Sequence, residues 1–224
     1  QHGVYATFMP KPIADQNGSG MHLQLSLFRG ESNAFFEDDD ELHLSPVARH
    51  YMAGLLRYAP DLMLVTNQWV NSYKRLMPGF EAPTYATWSP KNHADLLRVP
   101  AYKPGGELST RVEYRVPDAA CNPYLMLASV LAAGLEGIKN EYPLAAPVER
   151  DVREFSPEML AERGIGVLPN SLGEAIAAFG QSEFARGVLG GHIVDSLLAN
   201  KQQEWVDYRS QITQFELDSY LSVL

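Results

Sequence analysis

The sequence has a single cysteine, Cys121, among its 224 residues, so a disulfide within the chain is impossible. It also has little positive charge, because 18 lysines and arginines face 27 aspartates and glutamates and give a formal net charge of -9. A lone thiol is typical of a reducing compartment and predicts a cytoplasmic protein. The acidic balance does not support a nucleic-acid-binding face, so a phosphate or carboxylate ligand would need a few focused arginines or a metal.

Long apolar runs are missing as well. The longest, from Tyr124 to Ile138, contains a serine, a glutamate and two glycines, and it is shorter than the roughly 18–20 residues of a membrane span. We therefore expect no membrane segment. A composition of 46% hydrophobic and 20% charged residues indicates a folded globular protein. The chain starts at Gln1 and almost at once enters a strand-like segment at residues 4–9, which we interpret as part of something longer.

The stretch from Met21 to Leu27 alternates strictly between polar and apolar residues, as a strand with one buried face does. Its polar positions are His22, Gln24 and Ser26. Imidazole, amide and hydroxyl groups can coordinate a metal or hydrogen-bond a phosphate. On its own, however, the segment is explained better as a half-exposed edge strand with a polar outer face.

A second alternating segment, residues 110–116, has Arg111, Glu113 and Arg115 on one face. The arrangement suits a solvent-facing row of opposite charges. It equally suits a carboxylate flanked by two guanidinium groups that bind phosphate or carboxylate in a bidentate manner.

Between these strands lies a loop punctuated by proline and glycine, residues 71–83, which contains Lys74, Arg75 and Glu81. Long loops held by flanking structure often contribute to function, although solvated charges are equally consistent with the pattern. A lone histidine further on, His93, is more typical of a protein surface than of a catalytic centre.

Three sequence blocks, taken together, resemble the C-terminal half of a glutamine synthetase catalytic domain. The first block is residues 6–12 with 17–22, and the second is residues 71–75 with 78–83. The third joins residues 111–115 to Pro117-Asp118 and Asn122-Pro123-Tyr124. Three long motifs in the family's order are far more specific than a single short pattern. The resemblance covers essentially the whole chain, residues 1–224.

This resemblance implies a metal and nucleotide site. His22 and Glu113 would bind the divalent cation, Mg²⁺ or Mn²⁺, that bridges the phosphates of ATP. Gln24, Ser26 and Arg98 would line the nucleotide site.

The resemblance also implies a substrate site. Asn17 and Gly18 would hold the amino-acid end of glutamate, while Arg75 and Arg115 would neutralise its carboxylate and the phosphate formed on it. Glu81 would close the site and accept a proton from the attacking ammonium.

The implied activity is ATP-dependent ligation of an amine, with ammonia the first expectation, to the γ-carboxylate of glutamate through γ-glutamyl phosphate. Two positions depart from the family pattern, because Gln24 replaces a frequent histidine and His93 replaces a frequent arginine. These departures make a γ-glutamyl-polyamine or monoamine ligase a serious alternative. A non-catalytic relative retained for binding or regulation is a further alternative, against which the intact charged residues of the motifs argue, namely His22, Glu113, Arg75, Glu81 and Arg115. The family's assembly is a dodecamer of two hexameric rings, and we expect a fragment of this length to be inactive alone.

The implied fold class is α+β, with a curved antiparallel sheet and helices packed on its outer face, as in an incomplete glutamine synthetase/guanido kinase-like catalytic domain. We expect mostly sheet in residues 1–120 and mostly helix in 121–224. Ser45-Pro46 predicts a helix start and Pro60 its end. Residues 85–89 and 94–100 are typical of two strands of a meander.

The second half of the sequence predicts several helices. Asn122-Pro123 begins one that is apolar nearly all round through Leu135, which is typical of a buried helix. Ser171 has capping-box spacing ahead of another, and residues 193–211 and 215–221 predict two more.

Overall fold

The computed structural model describes residues 2–149 and 152–224, and within them the chain forms six short strands and eight α-helices. The strands are β1 (Leu23–Leu25), β2 (Phe28–Arg29), β3 (Ser32–Asn33), β4 (Trp88–Ser89), β5 (Leu97–Arg98) and β6 (Val112–Tyr114). The helices are α1 (Pro46–Thr66), α2 (Val70–Arg75), α3 (Pro123–Lys139), α4 (Pro157–Glu162), α5 (Leu172–Gln181), α6 (Glu183–Leu189), α7 (Gly191–Arg209) and α8 (Gln214–Tyr220). All six strands precede residue 121, together with α1 and α2.

Four strands form one sheet in the order β1-β6-β5-β4, and β2 pairs with β3 in a separate hairpin. The predicted α+β class is confirmed. The sheet is mixed, however, because β6 pairs antiparallel with β1 and β5 whereas β4 and β5 pair in parallel. The predicted meander of residues 85–89 and 94–100 is therefore wrong. The connection between the two strands brings the chain round so that β5 runs in the same direction as β4. The Leu97 and Val99 amides then donate hydrogen bonds to the Thr87 and Ser89 carbonyls.

The sheet separates an apolar face from a polar one. Strand register aligns the apolar residues Leu23, Tyr114, Leu97 and Trp88 across the four strands, and all four belong to the hydrophobic core or pack against it. One position along each strand, side chains point to the opposite face. That register aligns a polar row made of Gln24, Glu113, Arg98 and Ser89.

Helix α1 is the central element of the core. Ser45 accepts a hydrogen bond from the Ala48 amide and Pro46 occupies the first turn, as predicted. The prediction that this helix ends at Pro60 is wrong, because α1 continues to Thr66. A proline inside a helix costs about 3 kcal/mol, and the burial of four consecutive apolar residues, Leu62 to Val65, offsets this cost.

Helix α3 packs along α1, and its N-cap Asn122 accepts hydrogen bonds from the Tyr124 and Leu125 amides. The prediction that this helix is buried all round is only half right. Met126, Val130 and Ala133 are buried against the core, while the opposite face is exposed. That exposed face consists of Tyr124, Leu127, Leu131 and Leu135.

Residues 4–9 do not form the predicted strand. A strand needs a neighbour for its amide and carbonyl groups, and within the described residues no other segment pairs with this one. Val4, Tyr5 and Phe8 are exposed.

The predicted C-terminal helices are confirmed with small shifts of their ends. Ser171 caps α5 by accepting a hydrogen bond from the Glu174 amide. Helix α7 lies against α2, where the buried Lys201 ammonium sits 3.7 Å from the centre of the Trp69 ring. Within the described residues, no helix combines the length and the apolar character that crossing a bilayer requires.

Candidate active site

The polar row of the sheet centres on Glu113 of β6, which is only 4% exposed. Its Oε1 atom lies 3.1 Å from Nδ1 of His22, which precedes β1. Its Oε2 atom accepts a hydrogen bond from Nε of Arg98 on β5 and lies 3.3 Å from Nη1 of Arg115. Three side chains from three segments of the chain therefore converge on one buried carboxylate. The predicted proximity of His22 and Glu113 is confirmed.

Electrostatics keep this carboxylate ionised. Burial alone raises the pKa of Glu113, but the charges of Arg115 and Arg98 outweigh it and the net pKa is lowered. Burial and the Arg115 charge lower the pKa of the His22 imidazole, although Glu113 acts in the opposite direction. At neutral pH the site therefore presents a neutral imidazole beside a charged carboxylate.

A neutral imidazole and an ionised carboxylate are the protonation states in which these groups bind metals. Adjacent ligands of an octahedral Mg²⁺ ion lie about 3 Å apart, given metal–ligand distances of about 2.1 Å. The 3.1 Å between His22 Nδ1 and Glu113 Oε1 fits that spacing. Within the described residues, however, no group of three or more histidine, cysteine, aspartate or glutamate side chains could hold a metal. The pair thus fits part of a metal site, and the remaining ligands must come from other groups.

Arg75, at the end of α2, is 4% exposed and joins two parts of the site. Its Nη1 donates to the Val116 and Pro117 carbonyls at 2.8 and 3.2 Å, and its Nη2 donates to the Arg115 carbonyl at 3.1 Å. These contacts make Arg75 a positioning residue for the end of β6. Its predicted direct contact with the glutamate carboxylate stays a prediction.

The loop that contains Asn17 and Gly18, the residues predicted to bind glutamate, packs directly on Arg75. A Cβ atom at Gly18 would overlap the Arg75 side chain and the Pro10 carbonyl, and one at Gly20 would overlap the Arg75 guanidinium. The loop therefore needs glycine at both positions. Asn17 is exposed beside Gly18, and the predicted contact of both residues with glutamate stays a prediction.

Gln24 on β1 contacts an arginine that is not one of the side chains around Glu113. Its Oε1 accepts a hydrogen bond from Nε of Arg111 at 2.8 Å. Gln24 therefore extends the polar row away from the His22–Glu113 pair, toward one edge of the sheet. Ser26 is exposed just beyond β1. Their predicted nucleotide contacts, and that of Arg98, stay predictions.

Glu81 is exposed in the loop after α2 and has a positive φ of 43°. The ammonium of Lys11 lies 3.4 Å from the ring centre of the preceding residue, Phe80. Lys11 is itself only 8% exposed, and its amide donates to Asn71 Oδ1 at 2.7 Å. A cation–π contact thus anchors the loop that holds Glu81. The sequence prediction missed Lys11, for which the signal is a cation between two prolines in the first motif block.

Beneath this loop lies a cavity of about 420 Å³, lined among others by Glu81, His93 and Asp95. His93 belongs to the site after all, because its carbonyl accepts a hydrogen bond from Arg115 Nη2 at 2.8 Å. Its ring Nε2 lies 3.4 Å from Arg98 Nη1. The interpretation of His93 as a surface histidine agrees with its exposure, although its backbone carbonyl takes part in the site. Asp95 was also missed, although a carboxylate directly ahead of the apolar pair Leu96-Leu97 was a usable signal.

Comparison with known protein families supports the family resemblance of the three sequence blocks. A family model described as the glutamine synthetase catalytic domain matches residues 1–220. A glutamine synthetase from Mycolicibacterium smegmatis is 49% identical over 221 residues, covering 99% of this chain and 50% of the relative. One from Thermotoga maritima is 45% identical over 220 residues, covering 98% of this chain and 49% of the relative. The chain thus spans about half the length of the curated relatives it matches.

Solved structures agree with this match. A structure of GmaS in complex with ADP superposes with a TM-score of 0.82 at 35% identity, covering 96% of this chain and 49% of that one. A Plasmodium falciparum glutamine synthetase also gives a TM-score of 0.82 over 96% of this chain and 49% of that one, but at 24% identity it shows the fold alone.

Proposed function

The chain belongs to the glutamine synthetase family as a portion of its catalytic domain, and from that premise we propose that the full-length protein is an ATP-dependent glutamate–amine ligase. The observation that carries this proposal is the position of Glu113, held between His22 on one side and Arg98 and Arg115 on the other. Such a cluster can bind a cation and phosphate oxygens next to each other, as phosphoryl transfer requires.

The proposed reaction has two steps. First, the γ-carboxylate of glutamate attacks the γ-phosphorus of ATP, and ADP leaves with the electrons of the broken P–O bond. An amine then attacks the carbonyl carbon of γ-glutamyl phosphate and expels inorganic phosphate. The nitrogen loses a proton in that step, so a nearby base assists it.

The residues of this chain would divide these tasks. Mg²⁺ or Mn²⁺ held by His22 and Glu113 would supply charge neutralisation for the ATP phosphates. Arg98 and Arg115 already point at the same carboxylate and would bind phosphate oxygens as bidentate donors. The ADP in the related GmaS structure supports a nucleotide site in this fold, for which Gln24 is our further candidate.

Glutamate would be held beside Arg75. Asn17 and the backbone of Gly18 would hold its amino-acid end, and Arg75 keeps their loop in position. Glu81 would accept the proton of the incoming amine and exclude water when its loop closes. The positive φ at Glu81 and the Lys11–Phe80 contact support a loop with a defined shape.

Ammonia is the first candidate for the amine, supported by the name of the relatives in several bacteria. An organic monoamine or polyamine is the second candidate. The observation that favours it is His93, whose ring approaches Arg98 where a second guanidinium is frequent in the family. Imidazole cannot reproduce bidentate guanidinium binding of phosphate, so this side of the cavity has different chemistry.

We further propose that the full-length protein assembles as two stacked hexameric rings, by analogy with the family. We propose a cytoplasmic location from the single, buried thiol.

The test is phosphate release from ATP by the full-length enzyme with glutamate and a panel of amines. Release that depends on glutamate and on one of the amines is the expected result. Absence of release with ammonium and with every organic amine would contradict the proposal and favour a non-catalytic, binding or regulatory relative. Product identification by mass spectrometry distinguishes glutamine from a substituted γ-glutamylamide.

A further inference from the structure

Lys11 is a buried lysine whose ammonium joins two loops of the site. It is only 8% exposed. Its Nζ donates a hydrogen bond to the Gln16 carbonyl and lies 3.4 Å from the centre of the Phe80 ring. Gln16 directly precedes Asn17, a predicted glutamate-binding residue, and Phe80 directly precedes Glu81, the proposed base. One ammonium group therefore contacts both loops that would handle the substrates.

The backbone of Lys11 is fixed to α2 by two hydrogen bonds. Its amide donates to Asn71 Oδ1 at 2.7 Å, and Asn71 Nδ2 donates to its carbonyl at 3.1 Å. Asn71 lies in α2, whose last residue, Arg75, is buried and bonded to carbonyls at the end of β6. The Lys11 side chain thus extends from a fixed element to two irregular segments.

Packing alone does not explain a cation at this position. Burial of an ammonium group costs free energy unless polar partners replace its water. An apolar side chain of similar length, such as methionine, would fill the same space without that cost. The ammonium adds a directed hydrogen bond to one loop and attraction to the aromatic face of the other. Both loops must be in place for this link to form.

The relative position of the two loops bears on the fate of γ-glutamyl phosphate. When the amine nitrogen attacks its carbonyl carbon, the C–O bond to phosphate breaks and Glu81 takes the proton. Water can attack the same carbon, which expels phosphate, returns glutamate and releases a proton to solvent. A Glu81 loop held against the glutamate-binding loop favours the amine, because it places the base and excludes water.

We propose that Lys11 is a positioning residue that ties the Glu81 loop to the loop containing Asn17 and Gly18, so that the phosphorylated intermediate reacts with the amine instead of with water. The inference rests on the proposed ligase function and holds for ammonia and organic amines alike. Lys11 has no contact with substrate in this role, because it acts through Glu81.

The experiment measures the amide formed per phosphate released by the full-length enzyme, with ATP, glutamate and the amine that the wild type uses. The wild-type ratio should be close to one. Lys11→Met keeps the side-chain length and removes the charge. It should lower the ratio at least about threefold while glutamate-dependent phosphate release continues, since a misplacement of about 1 Å can cost up to about a hundredfold in rate. Lys11→Arg keeps a cation over the ring and should restore most of the ratio.

Two further variants test whether Lys11 acts through the Glu81 loop. Phe80→Leu removes the aromatic ring and should lower the ratio as Lys11→Met does. Because Phe80 lies in the loop between α2 and β4, this variant tests the contact even where Lys11→Met fails to fold. Glu81→Gln should also lower the ratio. The double variant of Lys11→Met with Glu81→Gln should be no lower than Glu81→Gln alone, because residues that act as a unit are not additive.

The controls make the same substitutions at exposed positions. Lys139→Met, at the end of α3, and Glu158→Gln, at an exposed position on α4, should leave the ratio as in the wild type.

The outcomes are distinct for the two proposals. An unchanged ratio in folded Lys11→Met or in Phe80→Leu, even with slower phosphate release, would overturn the role of Lys11 and leave the ligase function standing. A further fall of the ratio in the double variant would overturn that role as well, because Lys11 would not act through Glu81. Absence of phosphate release by the wild type with every amine would overturn both proposals.

Discussion

At the scale of single residues, the site depends on how Glu113 remains ionised while almost fully buried. A carboxylate in that position is stable only when charged partners replace the water it has lost. His22, Arg98 and Arg115 are those partners. Removing the charge of Glu113 therefore removes a candidate metal ligand and also leaves two guanidinium groups facing each other.

The lowered pKa of Glu113 predicts a pH dependence of stability. A group with a lowered folded-state pKa contributes stability above its unfolded pKa, and this contribution disappears as pH falls through the folded pKa. At pH 7 the melting temperature of Glu113→Gln should therefore be lower than that of the wild type. The gap should shrink on acidification below the ordinary glutamate range, as measured by scanning fluorimetry. A gap that stays constant from pH 7 to the acid limit of folding would contradict the assignment.

The reactivity of the Cys121 thiol tests whether its sulfur atom is buried. Burial and the nearby Asp118 charge raise its pKa to about 12, so at pH 8 only about one thiol in ten thousand is ionised. The native protein should react with a thiol reagent at pH 8 far more slowly than the same protein in denaturant. Equal rates before and after unfolding would show that the thiol is accessible and its pKa unshifted.

Sequence reasoning identified some site residues and missed others for a physical reason. His22 and Glu113 were paired through the resemblance to the glutamine synthetase family, whereas the strand period alone placed each of them only on the polar face of its own segment. Asp95 and Lys11 lie in irregular segments, where no period indicates burial. Their importance follows only from contacts distant along the chain, such as that between Lys11 and Phe80.

At the scale of elements, close contact between α1 and α3 positions the core that supports the sheet. A Cβ atom at Gly54 would overlap the Ala133 carbonyl, and one at Gly137 would overlap the His50 carbonyl. Two helices can approach this closely only where neither has a side chain at the crossing.

We predict that Gly54→Ala destabilises the protein, because the added methyl group forces the helices apart. Overpacking of this kind costs about 1–3 kcal/mol, so the melting temperature should fall by several degrees. Gly187 is the matched control, because it is an exposed glycine inside α6 where an added methyl group would meet no atom within 4 Å. Gly187→Ala should be neutral or stabilise by up to about 1 kcal/mol. Equal melting temperatures for the two variants would contradict the close crossing.

Elements were predictable where local signals and tertiary contacts agree. Caps and prolines correctly marked the starts of α1 and α3. Pro60 misled the prediction of the end of α1, because burial beyond the proline outweighs its local cost. The relative direction of the two strands in residues 85–100 was not predictable. A connection between them can place the second strand antiparallel or parallel to the first, and the sequence pattern of each strand is the same in both cases.

At the scale of the whole molecule, the chain holds two candidate metal ligands, His22 and Glu113, and spans about half the length of its relatives. We infer that the rest of the metal site comes from the part of the full-length protein outside residues 1–224. We predict that the isolated 224-residue chain has no ATP-dependent γ-glutamyl transfer, measured as phosphate release with glutamate and amine. The same assay on the full-length protein is the positive control, and activity of the isolated chain would contradict this prediction.

The most direct test of the account is Mn²⁺ binding to the full-length protein, followed by electron paramagnetic resonance. His22→Ala and Glu113→Gln should each weaken one class of bound Mn²⁺ by at least about tenfold, since even residues that only support metal ligands change affinity by 10–100-fold. Glu158→Gln should bind as the wild type does. Unchanged Mn²⁺ affinity in both His22→Ala and Glu113→Gln would contradict the assignment of this pair as a metal site.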